Sequence, residues 1–247
     1  MAMSSHNPVF SRTRLEAGVS TEPMTLAGTV RKTFLLLAIV VVAAAWTWMR
    51  VARSGVGGGV GGDVGTLILV GAVGGLGLGF WTSFHPQQAR ITAPIYAALE
   101  GLLLGAISAL ANARYAGLPM QAVLLTVATL GVMLIGYRTG LIRATERLKT
   151  IVVSCTAAIA MFYVIALVLG AFGLSIPFLH EGGPIGIAFS LFVTGLAAFN
   201  LILDFDAIDQ WVGHADEGME WFAAFGLVVT LVWLYLEFVR LLGKLRR

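Results

Sequence analysis

Seven long apolar runs dominate this sequence, and each is close to the roughly 17–25 residues that a helix needs to cross a bilayer. The short connectors between them carry most of the charge. With 58% hydrophobic and 12% charged residues, the chain differs from soluble domains, which are about 45–50% apolar and about 25% charged. The sequence therefore predicts an all-α polytopic membrane protein whose surroundings are a lipid bilayer.

The runs predict one seven-helix transmembrane domain over residues 30–247, preceded by a flexible polar tail at residues 1–29. No cleavable signal peptide is expected, because Arg50 and Arg53 follow the first apolar run in place of a small-residue cleavage site. The predicted helices lie at about residues 33–49, 64–80, 93–112, 120–137, 151–174, 185–203 and 221–242.

Three carboxylates stand where the sixth apolar run should leave the hydrocarbon. They are Asp204, Asp206 and Asp209, at positions i, i+2 and i+5. An ionised side chain near a bilayer centre costs about 2.5–3.5 kcal/mol or more, so acids at a membrane-helix end need an explanation. They form either an ordinary solvated flank or the mouth of an ion or proton path.

Two further acids fall inside predicted helices. Glu100 lies about two turns, roughly 10 Å, inside the third helix, where a carboxylate should be protonated, paired or turned toward a wet interior. Glu237 stands near the end of the seventh helix with Arg240 three residues later. That pair is most simply an interfacial ion pair worth a few tenths of a kcal/mol.

Glycines at a spacing of four residues predict close helix packing. The second predicted helix carries Gly71, Gly75 and Gly79, and the third carries Gly101 and Gly105. A face of glycines lets a neighbouring backbone approach closely. The neighbour is either another helix of this chain or a helix of a partner protein.

The distribution of basic residues favours a cytoplasmic N-terminus. The segments that would then face the cytoplasm hold Arg12, Arg14, Arg31, Lys32, Arg90, Arg138, Arg143, Arg147 and Lys149, whereas the outside loops hold only Arg50, Arg53 and Arg114. The C-terminal basic residues do not fit, because an odd number of spans puts them outside. Either they are tolerated there, or the seventh helix re-enters the membrane.

This orientation places Glu100 and Asp204 in the same cytoplasmic half, where they can meet. Two neighbouring carboxylates cannot both ionise cheaply, so such a pair would respond to protons. Its ionised form would attract a hard cation such as calcium through oxygen ligands.

Several short motifs, in this order along the chain, resemble the Bax inhibitor-1 family, also called the transmembrane Bax inhibitor motif family. The resemblance is strongest to its bacterial YccA-like branch and covers nearly the whole chain. The motifs are Asn-Pro-Val-Phe at 7–10, Leu-Glu-Gly-Leu-Leu-Leu-Gly at 99–105, Leu-Asp-Phe-Asp-Ala-Ile at 203–208, Ala-Phe-Gly-Leu at 224–227 and Leu-Tyr-Leu-Glu at 234–237.

The resemblance implies a bundle with helix seven at its centre, placed in the bacterial inner membrane. It also implies a pH-sensitive calcium leak, gated by one aspartate each from helices six and seven and attended by a helix-two arginine. Asp204 matches the helix-six aspartate, but helix two has no arginine and Thr230 stands where the second aspartate is expected. A proton sensor would therefore pair Asp204 with Asp206, Glu100 or Glu237.

Functions other than a calcium leak are compatible with parts of the sequence. The resemblance also implies a non-transporting regulator that binds a membrane protease or a stress-response complex. An enzyme is not expected, because the four histidines fall in tails or loops and neither GxSxG nor HExxH occurs. With one cysteine, Cys155, and no Cys/His cluster, neither a metal site nor a cofactor is expected. Nucleic acid is not an expected partner either, because the basic residues flank the apolar runs.

Overall fold

In the computed structural model, residues 22–54, 63–172 and 183–246 are described, and these segments are almost wholly helical. They form seven long helices: α1 Leu26–Ser54, α2 Asp63–Phe84, α3 Ala89–Arg114, α4 Leu118–Arg138, α5 Glu146–Ala171, α6 Pro184–Trp211 and α7 Met219–Leu245. A short 3-10 helix, Pro86–Gln88, joins α2 to α3. All seven are long and apolar enough to cross a membrane, which confirms the all-α, seven-helix prediction.

Several helices extend beyond the apolar runs. α1 begins at Leu26, before the predicted start at residue 33, and α6 continues to Trp211, past the predicted end at residue 203. α6 continues because the apolar positions Phe205 and Ile208 are buried and prolong its packed face. Part of the predicted tail (1–21), the glycine-rich connector (55–62) and the loop at 173–182 lie outside the described residues.

α7 lies at the centre of the bundle, as predicted. It packs closely against α1, α3, α4 and α6, whereas α2 lies outside on α3 and α5 lies outside on α6. Burial follows the same order. Within an 18-residue apolar stretch of each helix, 67% is buried in α7, against 11% in α2 and 12% in α5. Most side chains of α2 and α5 are therefore left to face lipid.

The two ends of the bundle are closed by contacts between distant parts of the chain. At the end where α1 and α7 begin, here called the amino end, the Met24 N–H donates to the Ala215 carbonyl oxygen at 2.8 Å. At the opposite, far end, the Arg246 guanidinium donates to the Ala116 carbonyl oxygen at 3.1 Å. α7 is continuous between these two contacts, so the helix does not turn back into the bundle.

Candidate functional site

Asp204 lies inside α6, seven residues before the helix ends at Trp211. The prediction that the sixth helix ends just before Asp204 is therefore wrong, because the helix continues past this residue. The Thr230 hydroxyl of α7 lies within hydrogen-bonding reach of its carboxylate. The second carboxylate oxygen, Oδ2, is buried and finds no donor among the residues that the structure describes.

Glu237 is a buried acid of α7, with only 1% of its surface exposed. Its Oε1 atom accepts hydrogen bonds from Arg240 Nη1 at 2.6 Å, Tyr163 Oη of α5 at 3.0 Å and Trp233 Nε1 at 3.2 Å. Arg240 also lies over the Tyr163 ring, with its Cζ atom 5.0 Å from the ring centroid. We call these four residues the Glu237 cluster. A simple interfacial ion pair does not describe it, because the carboxylate is buried.

One oxygen of the Glu237 carboxylate remains without a partner. Within the described part of the chain, nothing donates a hydrogen bond to the buried Oε2 atom. Glu237 lies seven residues after Thr230, which is two helical turns, so both point from the same face of α7 about 10 Å apart along the axis. Thr230 and Glu237 therefore define one face of the central helix, here called the α7 stripe. Asp204 of α6 lies against this stripe at Thr230, and within the described residues Asp204 and Glu237 each have a buried oxygen atom without a donor.

Asp206 points away from that stripe toward α5. Its Oδ2 atom lies 2.8 Å from Lys149 Nζ and accepts a hydrogen bond from the Gln210 side chain at 2.5 Å. Beside it, at the amino end, is a cavity of about 430 Å³ whose lining includes Asp209 and two arginines, Arg138 and Arg143. The acidic segment thus provides one carboxylate with a buried oxygen atom, Asp204 Oδ2, and two carboxylates that border a polar cavity.

Glu100 has surroundings of its own between α2 and α3. It is 8% exposed and interacts with the Tyr96 hydroxyl one turn earlier on α3. A Cβ atom added to Gly75 of α2 would lie 2.6 Å from its Oε1 atom, so the carboxylate lies directly against the α2 backbone. The structure brings Asp204 beside Thr230 and Glu100 beside Gly75, so the two acids have different neighbours.

The glycines lie where helix backbones approach one another within this chain. A Cβ atom on Gly71 would lie 2.8 Å from the Leu99 carbonyl oxygen of α3, and one on Gly79 would lie 3.5 Å from the Tyr96 ring. Gly101 and Gly105 face α1 instead, where added Cβ atoms would crowd the carbonyl oxygens of Val40 and Ala44. α3 is thus packed between α1 and α2 through glycine contacts.

Two buried lysines are absent from the sequence predictions as site residues. Lys32 of α1 is 6% exposed, and its Nζ atom lies 2.6 Å from Oε2 of Glu220 on α7. Lys244, near the end of α7, is 5% exposed and donates to the Gly186 carbonyl oxygen at 2.9 Å. The available signal was that Lys32 and Glu220 both lie near the starts of odd-numbered helices, which meet at one end of a bundle. No spacing rule pairs residues so far apart in the sequence.

The candidate site consists of carboxylates and hydroxyls. No group of three or more His, Cys, Asp and Glu side chains within residues 22–54, 63–172 and 183–246 is arranged to hold a metal ion. Of the histidines in these ranges, His85 stacks on the Trp81 ring with the two centroids 4.3 Å apart.

Comparison with known proteins gives one finding. A family model described as "Bax inhibitor 1 like" matches residues 7–247, which is nearly the whole chain. Comparisons with curated proteins and with solved structures gave no match.

Proposed function

Because this chain belongs to the Bax inhibitor 1 like family, we propose that it is a pH-responsive cation leak of a bacterial inner membrane. Calcium is the proposed cation, and the YccA-like members are its proposed nearest relatives. In this proposal the amino end of the bundle faces the cytoplasm, in keeping with the many basic residues of the loops there.

One observation carries the proposal: two acids beside the α7 stripe each have a buried oxygen atom that no donor reaches within the part of the chain that the structure describes. These atoms are Asp204 Oδ2 and Glu237 Oε2. A buried polar atom that lacks a partner costs about 1–3 kcal/mol, so such atoms are rare unless a proton, a water molecule or an ion visits them. Oxygen atoms are also the ligands that calcium takes.

In this proposal the polar cavity at the amino end is the entry, because Asp206, which lines it, follows Asp204 by two residues in α6. Its acids, Asp206 and Asp209, would meet an incoming cation before Asp204 does. The cavity also holds two arginines, Arg138 and Arg143, whose charge the two carboxylates match, while Lys149 pairs with Glu146 as well as with Asp206. An entry of this kind passes a cation only while its acids are ionised.

Arg240 takes the place of the helix-two arginine that the resemblance implies. α2 contains neither Lys nor Arg, whereas Arg240 contacts Glu237 directly from the same helix. In the closed state, Arg240 neutralises Glu237. Thr230 of α7 lies beside Asp204, and Glu237 follows Thr230 by two helical turns, so the proposed proton-responsive acids are Asp204 of α6 and Glu237 of α7. Glu100 lies between α2 and α3 and is not one of these two acids.

Calcium flux into liposomes that hold the purified protein tests the proposal at about pH 6, 7 and 8. We expect flux to fall toward the lowest pH, because ionised carboxylates attract the cation and protonated ones do not. Asp204→Asn and Glu237→Gln should each reduce the flux and flatten its pH profile. Glu146→Gln is the matched control, since that acid is 89% exposed at the start of α5. Folded protein that gives no flux at any pH would contradict the proposal.

The alternative is a regulator that binds a membrane protease without transporting ions. The glycine faces of α2 and α3 do not favour it, because both are taken up by packing within the chain. Absence of flux, together with a protease that co-purifies in a fixed ratio, would support this alternative.

A further inference from the structure

A deep apolar groove opens on the side of the bundle between α1 and α4. Its volume is about 670 Å³. α1 and α4 form its walls, and residues of α3 and α7, including Leu231, Val232 and Tyr235, form its floor. α1 and α4 are not a closely packed pair, so the groove reaches from the outer surface to the central helix.

The groove covers the far half of the membrane-spanning region and no more. Along α1 its lining runs from Leu37 to Met49, which is about 18 Å at 1.5 Å per residue. Along α4 it runs from Pro119, near the far end of the bundle, to Leu130. The hydrocarbon core of a bilayer is about 30 Å thick, so the groove is as long as one leaflet is deep.

Four polar side chains in the lining make hydrogen bonds within the protein. The Ser108 and Tyr235 hydroxyls share a hydrogen bond at 2.6 Å, and Thr126 donates to the Ala122 carbonyl oxygen at 2.8 Å. Asn112 Oδ1 accepts the Gly117 N–H at 2.9 Å. Because these groups are bonded and most of the remaining lining is apolar, the groove suits a hydrocarbon occupant.

Positive charge stands at the far end of this groove. Two arginines, Arg114 and Arg246, supply it; Arg50 lies over the Trp46 ring at 5.5 Å, on the face of α1 away from the lining, and is not counted with them. Arg114 is exposed at the end of α3, just past the lining residue Asn112. Arg246 reaches the Ala116 carbonyl oxygen from the end of α7. A lipid whose tail enters the groove would therefore present its headgroup to arginines, which bind phosphate well.

We propose that this groove binds one acyl chain of an anionic phospholipid whose phosphate lies against the arginines at the far end. A methylene group is taken to occupy about 30 Å³, the volume of one water molecule in liquid water. An acyl chain of about 16 carbons then needs roughly 500 Å³ and fits the groove. A spanning helix about 10 Å wide and about 30 Å long needs roughly 2,400 Å³ and does not fit inside it.

Native mass spectrometry of the full chain, mixed with phosphatidylglycerol or phosphatidylcholine, tests the proposal. We expect one tightly held phosphatidylglycerol and at least several-fold weaker retention of phosphatidylcholine. Ala45→Phe, which fills the groove, should abolish retention, whereas Val42→Phe on the lipid-facing side of the same helix should not. Arg114→Gln should remove the preference for phosphatidylglycerol, and Arg31→Gln at the amino end should leave it unchanged.

A second measurement covers the case in which Ala45→Phe fails to fold. Trp48 lines the groove, so phosphatidylglycerol with brominated acyl chains should quench a part of the fluorescence that Trp48→Phe lacks. No retained lipid and no such quenching in the wild type would overturn the proposal. Equal retention in Ala45→Phe and Val42→Phe, or a dimer that forms as lipid is lost, would also overturn it. None of these outcomes depends on ion flux.

Discussion

Lys32 Nζ lies 2.6 Å from Glu220 Oε2, and this buried ion pair joins the start of α1 to the start of the central helix α7. Glu220 is 2% exposed, and its Oε1 atom also accepts from the Thr25 N–H and the Thr25 hydroxyl, both at 2.8 Å. Lys32 therefore does more than add to the basic residues from which the orientation was predicted. It neutralises an acid that the fold has buried.

Removing one member of this pair should be costly. Lys32→Met leaves Glu220 as an uncompensated buried charge, which costs about 3–5 kcal/mol, and Glu220→Gln should cost a similar amount. The thermal unfolding midpoint in detergent measures both. The double variant should lose less than the sum of the two single losses, because the pair is removed as a unit. Additive losses would show that the two residues act independently.

The Lys149–Asp206 pair should behave differently, although its distance is a similar 2.8 Å. The two side chains are 28% and 20% exposed, so solvent screens their attraction. Lys149→Met should therefore cost no more than about 1 kcal/mol, and the loss should shrink as salt is added. Unfolding at low and high salt measures this. A salt-independent loss as large as that of Lys32→Met would contradict the expectation.

Glycine substitutions should distinguish packed backbones from open helix surface. Gly105→Ala puts a Cβ atom against the Ala44 carbonyl oxygen, a backbone atom that cannot rotate away, so we expect a loss of about 1–3 kcal/mol. Gly75→Ala should lose less, because the nearest atom belongs to the Glu100 side chain. Gly77→Ala, which meets nothing within 4 Å, is the control and should be neutral or slightly stabilising. The order of the three unfolding midpoints is the measurement.

Arg240→Gln tests whether the buried Glu237 carboxylate is ionised. Without Arg240 the buried carboxylate keeps the Tyr163 and Trp233 donors but loses its counter-charge, at a cost of about 3 kcal/mol. Arg246→Gln, which removes an exposed arginine bonded to Ala116 and Gln121, should change stability little. Equal effects of the two variants on the unfolding midpoint would argue against a buried ionised Glu237.

Thr230→Val tests the contact between α6 and α7. Asp204 loses the hydroxyl within its reach, so we expect a destabilisation of about 1–2 kcal/mol and an altered pH profile of calcium flux. Thr230→Ser retains the hydroxyl and should behave like the wild type. If both variants leave flux and stability unchanged, Thr230 is not a functional neighbour of Asp204.

Sequence reasoning identified the acids but not their neighbours. Asp204, Asp206, Glu100 and Glu237 stand out because charge is rare within apolar runs. Their neighbours depend on how each helix is rotated about its axis. α6 is apolar nearly all round, so no amphipathic pattern shows which of its faces meets α7. The structure is what turns Asp204 toward Thr230 and Asp206 toward Lys149.

The basic C-terminal residues show the same limit. By orientation rules alone, Arg240, Lys244 and Arg246 conflict with an N-terminus in the cytoplasm. In the structure each of them serves packing: Arg240 binds Glu237, Lys244 binds the Gly186 carbonyl oxygen, and Arg246 binds the Ala116 carbonyl oxygen. A charge that stabilises the fold carries little information about orientation, and only side-chain contacts separate the two roles.

By itself, the sequence determined that the protein lies in a lipid bilayer, how many helices cross it and how rare buried charge is. The reason is that the bilayer, and not the neighbouring helices, sets the length and hydropathy of a membrane helix. The tertiary structure decided which carboxylates are neutralised, which buried carboxylate oxygens find no donor within the described residues, and where the bundle opens to lipid. These properties depend on the rotation and register of helices that are far apart in the chain. In a bilayer, apolar side chains gain little from facing one helix over another, so hydrophobicity does not encode that choice.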